Sequence, residues 1–251
     1  ALTVYVLIPI RDAFSWLPWP LVTGVVALAG WVLGGWRLAA LTGGLVFAIA
    51  VTGFWRPAML TLYLTSLSVI VCMCIGVPIG IWAARRPRAA RVVMTLCDTL
   101  QTFPSFIYLI PVIMLFRVGD LASLVAILAY AMVPAIRYTY LGMTRIPATV
   151  IEAARAAGAT RGQILRKVEL PMALPEIMLG VNQTILMALA MTAITALIGS
   201  RDLGQEILKA LPEVDTGRGL LAGLSIAFIG IVADRLIGAW ARRRKAELGL
   251  A

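Results

Sequence analysis

Residues 57–84 read PAMLTLYLTSLSVIVCMCIGVPIGIWAA, without one Asp, Glu, Lys or Arg. A helix that crosses a bilayer needs about 20 mostly apolar residues, so this stretch is long enough to span. Working outward, further uncharged runs occupy 13–36, 38–55, 99–116, 121–136, 177–200 and 219–233. The shorter runs borrow flanking residues whose charged heads reach the interface. A barrel would need alternating polar and apolar residues in strands of about ten, and these runs are continuously apolar. Composition agrees: 61% of residues are apolar, 14% are charged and the mean hydropathy is +0.94. Soluble domains carry about 25% charged residues. The expected fold is an all-α membrane protein with about seven transmembrane helices.

The net charge is +10. Topology accounts for it better than nucleic acid does, because cytoplasmic loops collect Lys and Arg. Arg85, Arg86, Arg88 and Arg91 lie between the third and fourth runs. Arg145, Arg155, Arg161, Arg166 and Lys167 lie between the fifth and sixth, and Arg242, Arg243, Arg244 and Lys245 follow the seventh. Alternating spans put all three clusters on one side. The expected C-terminus is therefore cytoplasmic and the N-terminus external. The expected organisation is a leader of two spans over 1–56, a core of five over 57–240 and a basic tail over 241–251. No internal repeat supports the inverted-repeat plan of many secondary transporters. Trp16, Trp19, Trp31, Trp36, Trp55, Trp82 and Trp240 sit near run ends, as an interfacial aromatic belt does. Cys72, Cys74 and Cys97 have no disulfide spacing and read as small apolar filler.

Between the fifth and sixth runs, residues 147–171 read PATVIEAARAAGATRGQILRKVELP. Thr149 with Glu152, and Thr160 with Gln163, have capping-box spacing. The alanine-rich stretch favours helix, and Gly158 is placed to end it in a left-handed turn. Ile164, Leu165 and Val168 form one face of a second helix, which Pro171 is expected to stop. Two short helices joined by a bend result. They could pack on their own bundle or dock against another protein.

Glu152-Ala153-Ala154, Gly158, Val168 and Leu170-Pro171 reproduce the spacing of the EAA signature and resemble that of ABC importer permeases, with Val where Ile is usual. The resemblance implies that this loop, including Ala159 and Thr160, is a coupling helix fitting a cleft on an ATP-binding subunit. It further implies two such subunits carrying ATP and magnesium, a second permease copy forming a homodimer, and an external substrate-binding protein. Asp98 to Pro111, Gly180 to Thr184 and Leu203 to Lys209 resemble the glycine betaine/proline betaine branch. That implies a small methylated amine as substrate: glycine betaine, proline betaine, choline, carnitine or trimethylamine N-oxide. Ser200-Arg201-Asp202 departs from the branch, whose members tend to carry small uncharged residues there.

The chain has no P-loop, which needs Gly-Lys followed by Ser or Thr, because Lys167, Lys209 and Lys245 do not follow Gly. It has no His, and no metal or other cofactor is expected in it. The reading is a non-enzymatic subunit of an inner-membrane complex, in contact with lipid and not with nucleic acid. Asp98, Glu176 and Asp234 lie near predicted cytoplasmic ends, and Asp98 is expected to cap a helix or pair with Arg91 or Arg137. Gln101, Thr102, Ser105 and Tyr108, with Asn182, Gln183 and Thr184, are polar residues at membrane depth. Such groups face the bundle interior or a wet cavity: they line a translocation path or bond helix to helix. Over 200–218, Leu203, Ile207, Leu208 and Leu211 have helical spacing, which fits an interfacial helix or a contact with the binding protein. The alternative is an ion-coupled secondary carrier of a small polar solute, which would work without an ATPase.

Overall fold

In the computed structural model, which describes residues 3–247, a π-helical turn at Thr3–Leu7 leads into α1 (Ile8–Ser15). There follow α2 (Trp19–Val51), α3 (Trp55–Ala84) and α4 (Pro87–Thr102). A 3-10 turn at Ser105–Tyr108 enters α5 (Leu109–Phe116), then α6 (Asp120–Thr144) and α7 (Ala148–Ala156). A short α8 (Arg161–Ile164) continues through a π-helical turn at Leu165–Glu169 into α9 (Leu170–Thr195). The last helices are α10 (Leu203–Glu213) and α11 (Thr216–Glu247). Of the expected basic tail, residues 248–251 lie outside the described residues.

Among the described residues, α3, α6, the continuous stretch Arg161–Ile198 and α11 are each long and apolar enough to cross a membrane, and α2 is so only when taken end to end. A sixth candidate is α4 with Ser105–Phe116, bent by 104°. The expected count of seven is not confirmed, and the runs depart from single straight spans at two places, for local reasons. Runs 13–36 and 38–55 share α2, which reverses at Gly35, where φ is 77°. Its arms, 19–34 and 36–51, lie against each other. Trp19 meets Phe47 with ring centroids 5.9 Å apart, and a Cβ on Gly30 would sit 2.9 Å from the Cα of Ala39. Run 99–116, expected to be one span, breaks at Phe103-Pro104. Phe103 is extended (ψ 134°), as residues before proline tend to be.

The centre is α6, gripped from two sides by helices that come close because glycines face it. A Cβ on Gly76 of α3 would lie 2.7 Å from the Ala135 Cβ, and one on Gly80 would lie 2.8 Å from the Ile136 carbonyl oxygen. On the other flank, Gly142 of α6 faces Ala173, and a Cβ on Gly180 of α9 would lie 2.7 Å from the Tyr138 Cβ. In lipid there is no hydrophobic drive between helices, so close van der Waals packing at small residues supplies the association. Buried hydroxyls add polar links: Thr65 of α3 and Thr192 of α9 are 3.4 Å apart.

The bundle has a basic end and an opposite end. At the basic end, Arg85 meets Glu169 at 2.6 Å, and Arg243 donates to the Val32 carbonyl at 3.2 Å. At the opposite end, Arg11 pairs with Asp120 at 3.4 Å, Trp55 donates to the Leu17 carbonyl, and Gly119 N–H donates to the Ile198 carbonyl.

The Ser200-Arg201-Asp202 departure has an architectural use. Asp202 is fully buried and caps α10, its Oδ1 accepting from Gly204 N–H at 2.9 Å and Gln205 N–H at 3.3 Å. Leu203, Gly204 and Ala210 of α10 are buried, while Leu211 is exposed. Burial lifts the Asp202 carboxyl to about 6, against the opposing hydrogen bonds from the cap amides. A raised folded-state pKa means that this group's stabilisation is full below its unfolded value of 3.8 and is lost as pH rises through about 6. Asp202→Asn keeps the capping oxygen without the charge. Its thermal stability should exceed the parent's at pH 7.5, by up to about 3 kcal/mol, and the gain should vanish towards pH 4. Unfolding scans across that range check it.

Candidate functional site

The loop between α6 and α9 is built from its caps upward. The helix α7 begins at Ala148 with Pro147 as its N-cap and no side-chain cap. The expected Thr149–Glu152 capping box does not form: the helix starts too early, so Thr149 is already its second residue. Glu152 is left exposed, without a side-chain hydrogen bond or ion pair among the described residues. The far end closes as the residues require. Gly158 has φ 80°, its N–H donates to the Arg155 carbonyl at 2.9 Å, and Ala159 N–H donates to the Ala154 carbonyl at 3.1 Å. That pair of bonds is a Schellman turn. Thr160 and Gln163 do form the second box, at 2.8 Å and 3.4 Å.

Pro171 does not stop the second helix. A π-helical turn at Leu165–Glu169 precedes it, and the helix runs on into the membrane span. A proline ring crowds the carbonyl four residues back and supplies no N–H; the wider turn accommodates both. The second arm of the loop is therefore the lower end of a span, not a separate short helix.

No residue of α7 is buried. Its packing is against α8 and the π-helical turn. Behind it the anchorage is firm. Leu165 and Leu170 pack on Met143, Ala173 and Ile177. Glu169 holds Arg85 of α3, and Glu176 of α9 sits between Arg145 at 3.7 Å and Lys245 of α11 at 3.6 Å. Residues 147–168 carry one carboxylate, Glu152, against Arg155, Arg161, Arg166 and Lys167. The result is an unpartnered, small-residue helix offered to the exterior at the basic end and tied through its successor to three spans. The anchoring partners Arg85, Glu169 and Lys245 were not singled out from sequence; acids just inside span ends, opposite basic clusters, were the available signal. Only 15% of the Glu169 side chain is exposed, so Glu169→Lys should lower stability by roughly 1–2 kcal/mol. It sets two positive charges together at the base of α7 and should lower transport several-fold, measured by uptake at equal protein content.

The polar residues divide into two groups. Gln101 and Thr102 are exposed at the end of α4, and Ser105 and Tyr108 are half-buried just past the bend. The Tyr108 hydroxyl donates to the Leu100 carbonyl, and its ring meets Tyr130 edge-on at 6.1 Å. Tyr108 thus braces the bend. In α9, the Asn182 Nδ2 donates to Asp234 of α11 at 2.7 Å, a link between helices. Thr184 is buried and donates to the Gly180 carbonyl one turn back. Gln183 is half-buried. Asp98 pairs with Arg137, one of its two expected partners.

Comparison with known proteins gives this geometry a context. Residues 76–246 match the family described as binding-protein-dependent transport system inner membrane component. The chain is 44% identical over 250 residues to the trimethylamine N-oxide transport system permease protein TmoV of Pelagibacter ubique, covering 99% of this chain and 35% of that protein. It is 40% identical over 238 residues to the glycine betaine/proline betaine transport system permease protein ProW of Escherichia coli, covering 95% and 67%. It is 40% identical over 229 residues to the glycine betaine transport system permease protein OpuAB of Bacillus subtilis, covering 90% and 80%. The chain spans little more than a third of the trimethylamine N-oxide permeases it matches. Among solved structures, a chain of the MetNI methionine ABC transporter in an inward-facing conformation superimposes with a TM-score of 0.65 at 27% identity, over 74% of this chain and 95% of that one. With the family matched over more than half of its length, the chain belongs to the binding-protein-dependent transport system inner membrane components.

Proposed function

We propose that this chain is the permease subunit of an ATP-driven importer of small methylated amines in the bacterial inner membrane. The observation that carries the reading is α7. This exposed small-residue helix buries nothing of its own, yet the segment that follows its Gly158 turn is continuous with a span and pinned to two others. Such an element transmits movement from a partner. Glu152, Ala153, Ala154, Gly158, Ala159 and Thr160 form the docking face, and Leu170 and Pro171 join it to the span.

The partner is a pair of ATP-binding subunits holding ATP and magnesium. The basic end faces the cytoplasm, where the excess of Lys and Arg belongs, and the C-terminus lies there. A second copy of the chain completes the pore, and an external binding protein delivers the substrate at the opposite end. ATP binding draws the two α7 helices together and opens the pore outward; hydrolysis resets it. The bend at Gln101, Thr102, Ser105 and Tyr108 borders the path, and Gln183 is the α9 residue left for it once Asn182 and Thr184 are committed to helix packing. The relatives' cargoes support the substrate class, from trimethylamine N-oxide and glycine betaine to carnitine.

Reconstitution into vesicles with the ATPase and binding protein tests this. Uptake of labelled glycine betaine or trimethylamine N-oxide should require all three components and ATP. Uptake that needs no ATPase and follows an ion gradient would replace the reading with an ion-coupled carrier.

A further inference from the structure

The three basic clusters do not all have the same surroundings. Four of their eleven arginines meet acids: Arg85 meets Glu169, Arg145 meets Glu176, and Arg243 and Arg244 meet Glu247. Beside the tip of the α2 hairpin, Arg37 of α2 and Arg235, Arg242 and Arg243 of α11 line one cavity of about 610 Å³, and no carboxylate lines it. Its remaining walls are Leu33, Gly34, Leu38, Leu41 and Ala239. Arg37, Arg235 and Arg242 have no ion-pair partner among the described residues. Arg243 bridges to the hairpin through the Val32 carbonyl and lies 3.7 Å from Glu247. On α11 the spacing 235, 239, 242 puts Arg, Ala and Arg on one helical face, turned to the hairpin.

The placement matters as much as the charge. The cavity lies at the membrane end of two apolar segments, with Trp36 alongside: the Arg37 guanidinium sits 5.6 Å from its ring centroid. It thus offers phosphate-binding guanidiniums at headgroup level and leucine walls leading towards the acyl region. Guanidinium forks match phosphate oxygens, and basic pockets between spans hold anionic headgroups. We propose that this cavity is a binding site for an anionic phospholipid, its phosphodiester held by Arg37, Arg235 and Arg242 and its acyl chains against Leu33 and Leu41. The α2 hairpin then joins the bundle partly through a bound lipid. This goes beyond the transport reading and does not depend on it.

The test is a titration of the full chain, in neutral detergent, with short-chain phosphatidylglycerol, following thermal unfolding. Phosphatidylglycerol should raise the midpoint at concentrations where short-chain phosphatidylcholine and sodium phosphate do not. Each guanidinium contributes about fivefold in affinity. The triple variant Arg37→Gln/Arg235→Gln/Arg242→Gln should therefore bind roughly 100-fold more weakly. Arg86→Gln/Arg88→Gln/Arg91→Gln removes the same charge elsewhere at the basic end and should change affinity less than about tenfold. Leu41→Trp keeps every arginine and narrows the apolar wall meant for the acyl chains, and should diminish the shift. Equal loss in the two triple variants, an equal shift from sodium phosphate, or an undiminished shift in Leu41→Trp would each overturn the proposal.

Discussion

Gly158→Val is expected to cut ATP-driven uptake at least tenfold while the bundle stays folded. Gly158 sits at φ 80°, which costs an L-residue about 1–2 kcal/mol, and more for a β-branched one. Nothing lies within 4 Å of a Cβ built there, so the penalty is purely conformational. The valine relieves it by unwinding the Schellman turn, and α7 swings away from its presented orientation. No residue of α7 is buried, so almost no packing is lost and the unfolding midpoint should stay within a few degrees. Glu152→Arg is the companion change. It leaves the backbone alone, removes the one carboxylate of 147–168, and should impair uptake with an unchanged fold. Uptake and ATPase rate in reconstituted vesicles, beside a thermal scan, separate these effects. Parental uptake in both variants would remove the docking role from α7.

The largest stability effect should come from Gly80→Leu. A Cβ there would stand 2.8 Å from the Ile136 carbonyl oxygen and 2.7 Å from the Thr139 Cβ. Neither is the free end of a flexible chain, so α3 must move off α6 along the contact that Gly76 also serves. Overpacking a well-packed core costs about 1–3 kcal/mol for extra methylenes; here a whole side chain enters a backbone contact, and little folded protein should be recovered. Gly80→Ala should be milder but still destabilising. Gly223→Ala is the control. It lies inside α11, meets nothing within 4 Å, and should gain about 0.5–1 kcal/mol from helix propensity alone. Yield of monodisperse protein and the unfolding midpoint give the order.

The spans were legible because charge-free length is a property of the chain itself. So were Gly158 and the Thr160–Gln163 box, since turns and caps are set by neighbours within a few residues. What could not be read depended on context. Thr149 and Glu152 have box spacing, but Pro147 starts the helix ahead of them. Pro171 resembles a stop until a π-helical turn makes room for it, whereas the reversal at Gly35 falls beside Arg37, which already separates the first two runs. The bond from Asn182 to Asp234, 52 residues away in sequence, follows no local rule. The Arg85–Glu169 and Glu176–Lys245 pairs are likewise long-range, and no spacing rule announces them.

The helix that ignores Pro171 has a mechanical consequence. Arg161–Ile198 is 38 residues long, about 57 Å at 1.5 Å per residue. It rests on α6 at Ala173 and Gly180, roughly a third to a half of the way along. A rod supported there is a lever with its fulcrum inside the bundle. A tilt that shifts Arg161 one way carries Ile198, where Gly119 is hydrogen-bonded, the other way by a comparable or larger distance. The compliant parts, the π-helical turn and Pro171, lie on the loaded side of that fulcrum. Beyond it Thr192 of the rod lies 3.4 Å from Thr65, which ties any movement of that arm to α3.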